Sequence, residues 1–253
     1  VYQHVDAPAP VPLPQEDMTG ADDAALRARL EAEASRPFDL GAAPLFRLLL
    51  VRCSDERHLF SLVMHHIVSD GWSMGLLQRE WSHLYAQILR GEAASLPPLP
   101  LQYADYAIWQ RSMIADGHWR AQLDYWRAQL AGLSPAELPA DPSAGSGGAG
   151  TVAFRIPPAL SDAIRRCAHE RNLTPFMVVV AGLDLLLQRH AGRDDIAIGT
   201  SVAGRNHAEI SESIGFFVNQ LVLRTDLAGD PTVEDLLLRV RRTVLGALDH
   251  QDL

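Results

Sequence analysis

Residues 141–150 are almost entirely Gly, Ser and Ala, and on either side of them short apolar runs alternate with amphipathic stretches of helical spacing. A segment with so little apolar surface cannot bury enough to hold itself rigid, which makes it a linker between residues 1–140 and residues 151–253. The alternation on both sides predicts an α/β fold with helices packed on a sheet in each part. With 253 residues and 47% hydrophobic content, the chain has the apolar mass for one large or two moderate cores.

In the first part, residues 7–14 alternate Pro with small residues and predict an extended connector. Leu26 and Leu30 mark a helix that ends before Pro37. Residues 45–51 and 59–64, separated by the turn-like Ser54-Asp55-Glu56-Arg57, predict paired strands. The second run is apolar on both faces and is expected to be an interior strand. Met74, Leu77, Trp81, Leu84 and Ile88 then predict a helix capped by Ser73 and closed at Gly91. Two further amphipathic segments follow, residues 103–113 and 118–130. Beyond the linker, residues 152–156 predict a strand, and Leu160, Ile164 and Cys167 predict a helix. Thr174-Pro175 opens another helix that is apolar almost all round and is expected to be buried. Residues 196–202 and 216–223 predict strands, and a capping box of Thr232 and Asp235 opens the last helix.

The formal net charge is −9, and all 22 basic residues are Arg, dispersed without a long basic run. That argues against a nucleic-acid backbone as partner, since phosphate contacts need clustered cations. No apolar stretch approaches the roughly 20 residues of a membrane span, and Val1-Tyr2-Gln3-His4 has no secretory pattern, so a cytoplasmic location is expected. Cys53 and Cys167 have neither metal-ligand nor disulfide spacing and read as reduced, half-buried thiols.

The chemistry concentrates in Met64-His65-His66-Ile67-Val68-Ser69-Asp70-Gly71-Trp72-Ser73, between a strand and a helix start, where side chains line a cleft on a rigid frame. Imidazole titrates near neutrality and can take a proton from an attacking amine or hydroxyl, or hold that nucleophile. Gly71 lets a substrate arm or another backbone pass close by. Adjacent histidines leaving a strand point to opposite sides, so one of the two enters a given cleft, and periodicity does not say which. Two plainer readings compete: a histidine satisfied structurally beside an apolar strand, and a metal site of His65, His66 and Asp70, which lacks further ligands at metal spacing. Tyr103, Tyr106 and Trp109 share a helical face and read as packing. Asn219, polar within an apolar run, needs a defined partner, and His250 fits a helix C-terminus.

The residues around the histidines alter that balance. His65 to Gly71 resembles the signature of acyltransferases related to chloramphenicol acetyltransferase, and Met64 with Trp72-Ser73 extends the likeness to condensation domains of nonribosomal peptide synthetases. Tyr103-Ala104-Asp105-Tyr106-Ala107-Ile108-Trp109-Gln110, the segment from Ile214-Gly215-Phe216-Phe217-Val218-Asn219-Gln220 to Arg224, and His250-Gln251-Asp252 resemble that family in the same order. Phe38-Asp39-Leu40 and residues 194–200 add to the likeness. The family's two early motifs and all that follows its His-Gln-Asp are not present, so a fragment of the domain is expected. Gln220 stands where Thr is usual. The intact His65 argues against heterocyclising relatives, and Trp72-Ser73-Met74 against epimerising ones.

The resemblance implies two chloramphenicol acetyltransferase-like lobes, residues 1–140 and 151–253, forming a V-shaped pseudo-dimer that is incomplete at both ends. It implies peptide-bond formation, in which an acyl, aminoacyl or peptidyl group passes from a donor carrier-protein thioester to the amine of an acceptor aminoacyl carrier protein. The implied partners are donor and acceptor peptidyl carrier proteins and adjacent synthetase domains. The substrates ride on phosphopantetheine arms, and the domain holds no cofactor of its own. His66 is implied at the reacting centre, with His65, Asp70 and Gly71 as motif support, and with Trp72, Ser73 and Asn219 as candidates to line the substrate channel. Asp70 is expected to face away from the site and brace the loop through an arginine that the sequence leaves unidentified. Two alternatives remain. A coenzyme A-dependent acyltransferase acting on an alcohol shares the histidine signature but has no reason to carry the Tyr103 and Ile214 segments. A silent docking module would be expected to show a degraded histidine motif.

Overall fold

The computed structural model describes residues 2–134 and 150–253. The expected linker therefore lies, apart from Gly150, outside the described residues. Contacts gather the chain into two compact units, Val1–Ser112 with Arg205–Val218, and Met113–Gly204 with Asn219–Leu253. Each unit is built from two stretches, and neither corresponds to a single cut of the chain.

The first unit carries a three-stranded sheet in the order β1 (Gln15–Asp17), β2 (Phe46–Arg52), β3 (His58–Met64). β1 runs parallel to β2 with Gln15 opposite Leu50, and β3 runs antiparallel with Phe46 opposite Met64. Helix α1 (Asp23–Ser35) starts at Asp22, whose carboxylate accepts from Ala25 N at 2.8 Å. It lays Leu26 over Leu49 and Val51, with Met18, Leu30 and Leu59 around them. Arg47 on β2 closes the other end of α1 by donating to the Arg36 carbonyl at 2.7 Å and to the Glu33 carbonyl at 3.0 Å, which also accepts from the Arg36 N–H at 3.4 Å. Among the described residues β3 pairs only with β2 and is half-buried, so it is an edge strand and not the interior strand that its two apolar faces suggest. Part of that apolar surface packs sideways: Phe60 lies 4.4 Å from Trp81 of helix α2 (Gly71–Leu89). Asp70, not Ser73, caps α2, because the chain turns helical three residues earlier than the apolar spacing indicates. Helix α3 (Tyr103–Ala115) crosses from the first unit into the second.

The second unit holds α4 (Arg120–Leu130), α5 (Pro158–Glu170), α6 (Pro175–Ala191), the antiparallel pair β4 (Asp195–Val202) and β5 (Asn219–Asp226), and α7 (Val233–Asp249). Its core joins Ile196, Leu221 and Leu223 of the strands to Met177 and Val180 of α6 and to Leu236, Val240 and Val244 of α7. The Thr232–Asp235 capping box is formed. The start of α6 follows the sequence, with Thr174 as cap, Pro175 at the first position and Gly192 left-handed at the end.

Three further expectations fail. Residues 152–156 form no strand among the described residues, and Val152 and Phe154 are exposed, because a strand exists only where a partner supplies the ladder. Strand β5 begins at Asn219 and not at 216, since the backbone of 215–217 is bonded elsewhere. Helix α6 buries one face only. Met177, Val180, Ala181 and Asp184 point inward, while Phe176, Val179 and Leu186 are exposed. Asp184 is fully buried, and neither its oxygens nor the Thr225 hydroxyl has a hydrogen-bond partner among the described residues. Burial pushes its carboxyl up to about 6.

Candidate active site

β3 ends at Met64, and the His65 N–H still donates to Leu45 O at 2.9 Å. The chain then enters a single 3-10 turn, His66–Val68, which His65 caps by accepting from Ile67 N on Nδ1 at 3.1 Å. An accepting Nδ1 carries no proton, so in the neutral ring the proton sits on Nε2. The His65 ring stands edge-on to Phe38, with centroids 6.0 Å apart, and Arg47 covers Phe38 at 3.8 Å. The turn carries the next residue outward. His66 is exposed and lines an open hollow of about 440 Å³ with Leu62, Met64, Asp70, Gly71 and Met74. No atom lies within 4 Å of where a Gly71 Cβ would stand, so that wall is open to an approaching group. Of the two adjacent histidines, one is tied to the frame and the other faces the hollow. Among the described residues the His66 ring has no hydrogen bond, and Phe216 flanks it at 5.1 Å with the ring planes at 87°.

Asp70, four residues on, also borders the hollow, but its carboxylate is sealed against Arg205, Ser73 and Phe217. Its side chain is 0% exposed and that of Arg205 1%, and Arg205 Nη2 lies 3.2 and 3.3 Å from the two carboxylate oxygens. Oδ1 also accepts from Ser73 N at 2.8 Å, and Oδ2 from Phe217 N at 3.0 Å. Arg205 Nη1 donates to the carbonyls of Ile210 and Ser213, both at 2.7 Å. Burial pushes the Asp70 carboxyl up, but the bonds from Ser73 and Phe217 and the Arg205 charge outweigh it and hold it below the ordinary carboxylate value. The Ser73 hydroxyl accepts from Gly215 N at 3.1 Å and Arg205 Nη2 at 2.9 Å. Its single proton goes to Asp70 Oδ1 at 2.7 Å or Gly215 O at 2.9 Å. These bonds stitch the start of α2 to residues 205–217.

Of the channel candidates, Trp72 is exposed and donates from Nε1 to Ser211 O at 2.9 Å. Ser73 is sealed and faces the ionic network instead of open space. Asn219 belongs to the second unit, where Nδ2 donates to Gln251 O and Leu253 O at 2.8 and 3.1 Å. That is the defined partner its place in an apolar run required. His250 also has a structural place: Nδ1 donates to Gly246 O at 2.7 Å in the last turn of α7, and Tyr125 stacks on its ring at 3.9 Å.

Arg205 escaped the sequence reading. It lies 135 positions from Asp70, and no periodicity links them. The available signal was chemical: a carboxylate in an apolar frame demands a cation, and Arg205 is the one arginine between residues 203 and 218. Tyr103 has a second role beyond packing, because its hydroxyl donates to Phe216 O at 2.9 Å. Burial and the Asp70 charge raise its phenol above the ordinary value.

Among the described residues no group of three His, Cys, Asp or Glu side chains is placed to hold a metal ion, and no helix is long and apolar enough to cross a membrane. The family model for the condensation domain matches residues 1–253. The chain belongs to the condensation-domain family. Family members in nonribosomal peptide synthetases catalyse amide-bond formation, an acyl transfer. This condensation domain is 43% identical over 250 residues to malpibaldin synthetase of Mortierella alpina, covering 96% of the chain but 4% of that protein. Among solved structures, the X-domain from teicoplanin biosynthesis superposes with a TM-score of 0.89 at 32% identity, over 100% of this chain and 57% of that one. The first condensation domain of the calcium-dependent antibiotic synthetase shares the fold, with a TM-score of 0.74 at 24% identity over 95% of this chain and 57% of that one. The condensation domain thus spans a small part of the synthetase and little more than half of each solved chain.

Proposed function

We propose that this condensation domain joins two carrier-bound substrates, passing an acyl, aminoacyl or peptidyl group from a donor carrier-protein thioester to the amine of an acceptor aminoacyl carrier protein. The observation that carries the reading is the division of labour within one intact motif: His66 exposed on a hollow, and Asp70 sealed against Arg205. The acceptor amine attacks the thioester carbonyl, the carbon–sulfur bond breaks, and the proton that leaves the new amide nitrogen ends on the departing sulfur, which stays as a thiol on the donor's phosphopantetheine arm. His66 takes that proton or holds the amine in its line of attack. Aminolysis of a thioester is downhill, so orienting two tethered reactants supplies much of the rate, up to about 7–11 kcal/mol. Asp70 and Gly71 support the loop and leave room beside it, His65 anchors the turn, and Trp72 and Asn219 stay as candidates for the substrate path.

The same proposal includes adjacent synthetase domains as partners and a cytoplasmic location. For the intact domain it includes lobes divided at residues 141–150 and paired as a V, a reading supported by family membership.

The test uses the protein expressed from its full reading frame, with loaded carriers. Carrier-bound donors should give amide while coenzyme A donors do not at comparable rates. His66→Ala should lower the rate by about 10²- to 10⁴-fold with melting temperature and carrier binding unchanged, because an exposed imidazole contributes little packing. Efficient transfer from coenzyme A to an alcohol would favour a free-standing acyltransferase. Carrier binding without any product would favour a docking module.

A further inference from the structure

The His66 ring has no hydrogen bond among the described residues, so packing sets its orientation, and the aromatic neighbour is Phe216 at 5.1 Å and 87°. Phe216 is 38% exposed while Phe217 beside it is 4% exposed and packs against Tyr103 and Tyr106. The first of these two phenylalanines is therefore spared from the core. The backbone beneath it is held at three successive residues. Gly215 N donates to Ser73 Oγ at 3.1 Å, Phe216 O accepts from Tyr103 Oη at 2.9 Å, and Phe217 N donates to Asp70 Oδ2 at 3.0 Å. No slack exists on the inner side, where a Cβ at position 215 would come within 2.5 Å of Tyr103 Cδ2 and 2.8 Å of Phe217 Cε2.

We propose that Phe216 is a positioning residue: its ring fixes the His66 imidazole toward the hollow, and Asp70, Ser73 and Tyr103 act on His66 by fixing the backbone that carries that ring. The proposal rests on the reading of His66 as the group at the reacting centre. A proton acceptor must come within about 2.6–3.2 Å of its proton, and displacement of about 1 Å can cost as much as 10²-fold in rate. An imidazole without hydrogen bonds needs a wall to stay in that range.

The experiment is a double-mutant cycle on the protein from its full reading frame, read as single-turnover condensation between loaded carriers. Phe216→Leu should lower the rate about tenfold, with the apparent KM for the acceptor carrier and the melting temperature unchanged. Phe216→Tyr keeps the ring, can point its hydroxyl to solvent, and should restore most of the rate. In a His66→Ala background, Phe216→Leu should cause no further loss. An equal loss in both backgrounds overturns the positioning role and leaves the His66 reading standing. A His66→Ala protein at full rate overturns both. A raised KM at constant rate, or failure of Phe216→Tyr to rescue, shows that Phe216 contacts substrate or supports the fold and overturns the proposal alone.

Discussion

Replacing Asp70 by Asn removes one charge at almost constant volume, in a place where the surroundings can be enumerated. Oδ1 faces the Ser73 N–H at 2.8 Å and Oδ2 the Phe217 N–H at 3.0 Å, with Arg205 Nη2 near both. Either orientation of the amide therefore sets its NH₂ against a backbone donor and loses a bond. Arg205, 1% exposed, also loses its counter-charge. Breaking a buried pair from one side costs about 3–5 kcal/mol. At about 2–4 °C per kcal/mol for a chain of this size, the melting temperature should fall by about 6–20 °C, and condensation with it. Changing Arg205→Met in the same protein removes the stranded cation, so the double variant should lose less than the sum of the two single losses. The pH dependence carries a sign. The folded Asp70 carboxyl is held below its ordinary value of 3.8, so its contribution is complete above 3.8 and is lost as pH falls through the folded value. The stability gap between wild type and Asp70→Asn should therefore narrow in acid. Urea unfolding followed by tryptophan fluorescence, from neutral pH downward, measures both effects. An Asp70→Asn protein that unfolds like wild type yet forms no amide would refute the brace and place the carboxylate in the chemistry.

Asp184 should give the opposite pH slope. Burial moves its carboxyl from 3.8 to about 6, so wild-type stability should drop by about 3 kcal/mol as pH rises from 3.8 through 6, at about 1.36 kcal/mol per pH unit of displacement. Asp184→Asn should be level across that window and more stable by that amount above it, and a flat wild-type curve in urea titrations would contradict the assignment. Gly215→Ala puts a methyl 2.5 Å from Tyr103 Cδ2 and should cost about 1–3 kcal/mol in thermal unfolding. Unchanged melting would mean that α3 and the loop separate freely.

The local elements were legible where a short-range signal exists. The Thr232–Asp235 box, the Thr174-Pro175 start of α6 and the pairing of β2 with β3 each rest on residues a few positions apart, and all three are formed. Residues 152–156 and 216–218 show why apolar patterning alone is insufficient. A strand's backbone must be answered by another strand, and the Phe217 N–H is answered by a side chain, Asp70. The same limit explains α6, whose composition is apolar almost all round but whose neighbours cover one face.

The sequence by itself determined that a pair of histidines ends a strand, that Asp70 and Gly71 follow at a fixed interval, and that the motif resembles an acyl-transfer family, because these are properties of adjacent residues. Only the tertiary structure decided which histidine is anchored and which is exposed, that Arg205 answers Asp70, and that Phe216 stands against His66. The Arg205 and Phe216 contacts join residues more than a hundred positions apart, and the His65 anchor, though only two residues long, depends on a turn that spacing does not specify. Side-chain spacing fixes which face of a helix or strand a residue occupies, whereas the partner across a packed interface depends on how the chain returns.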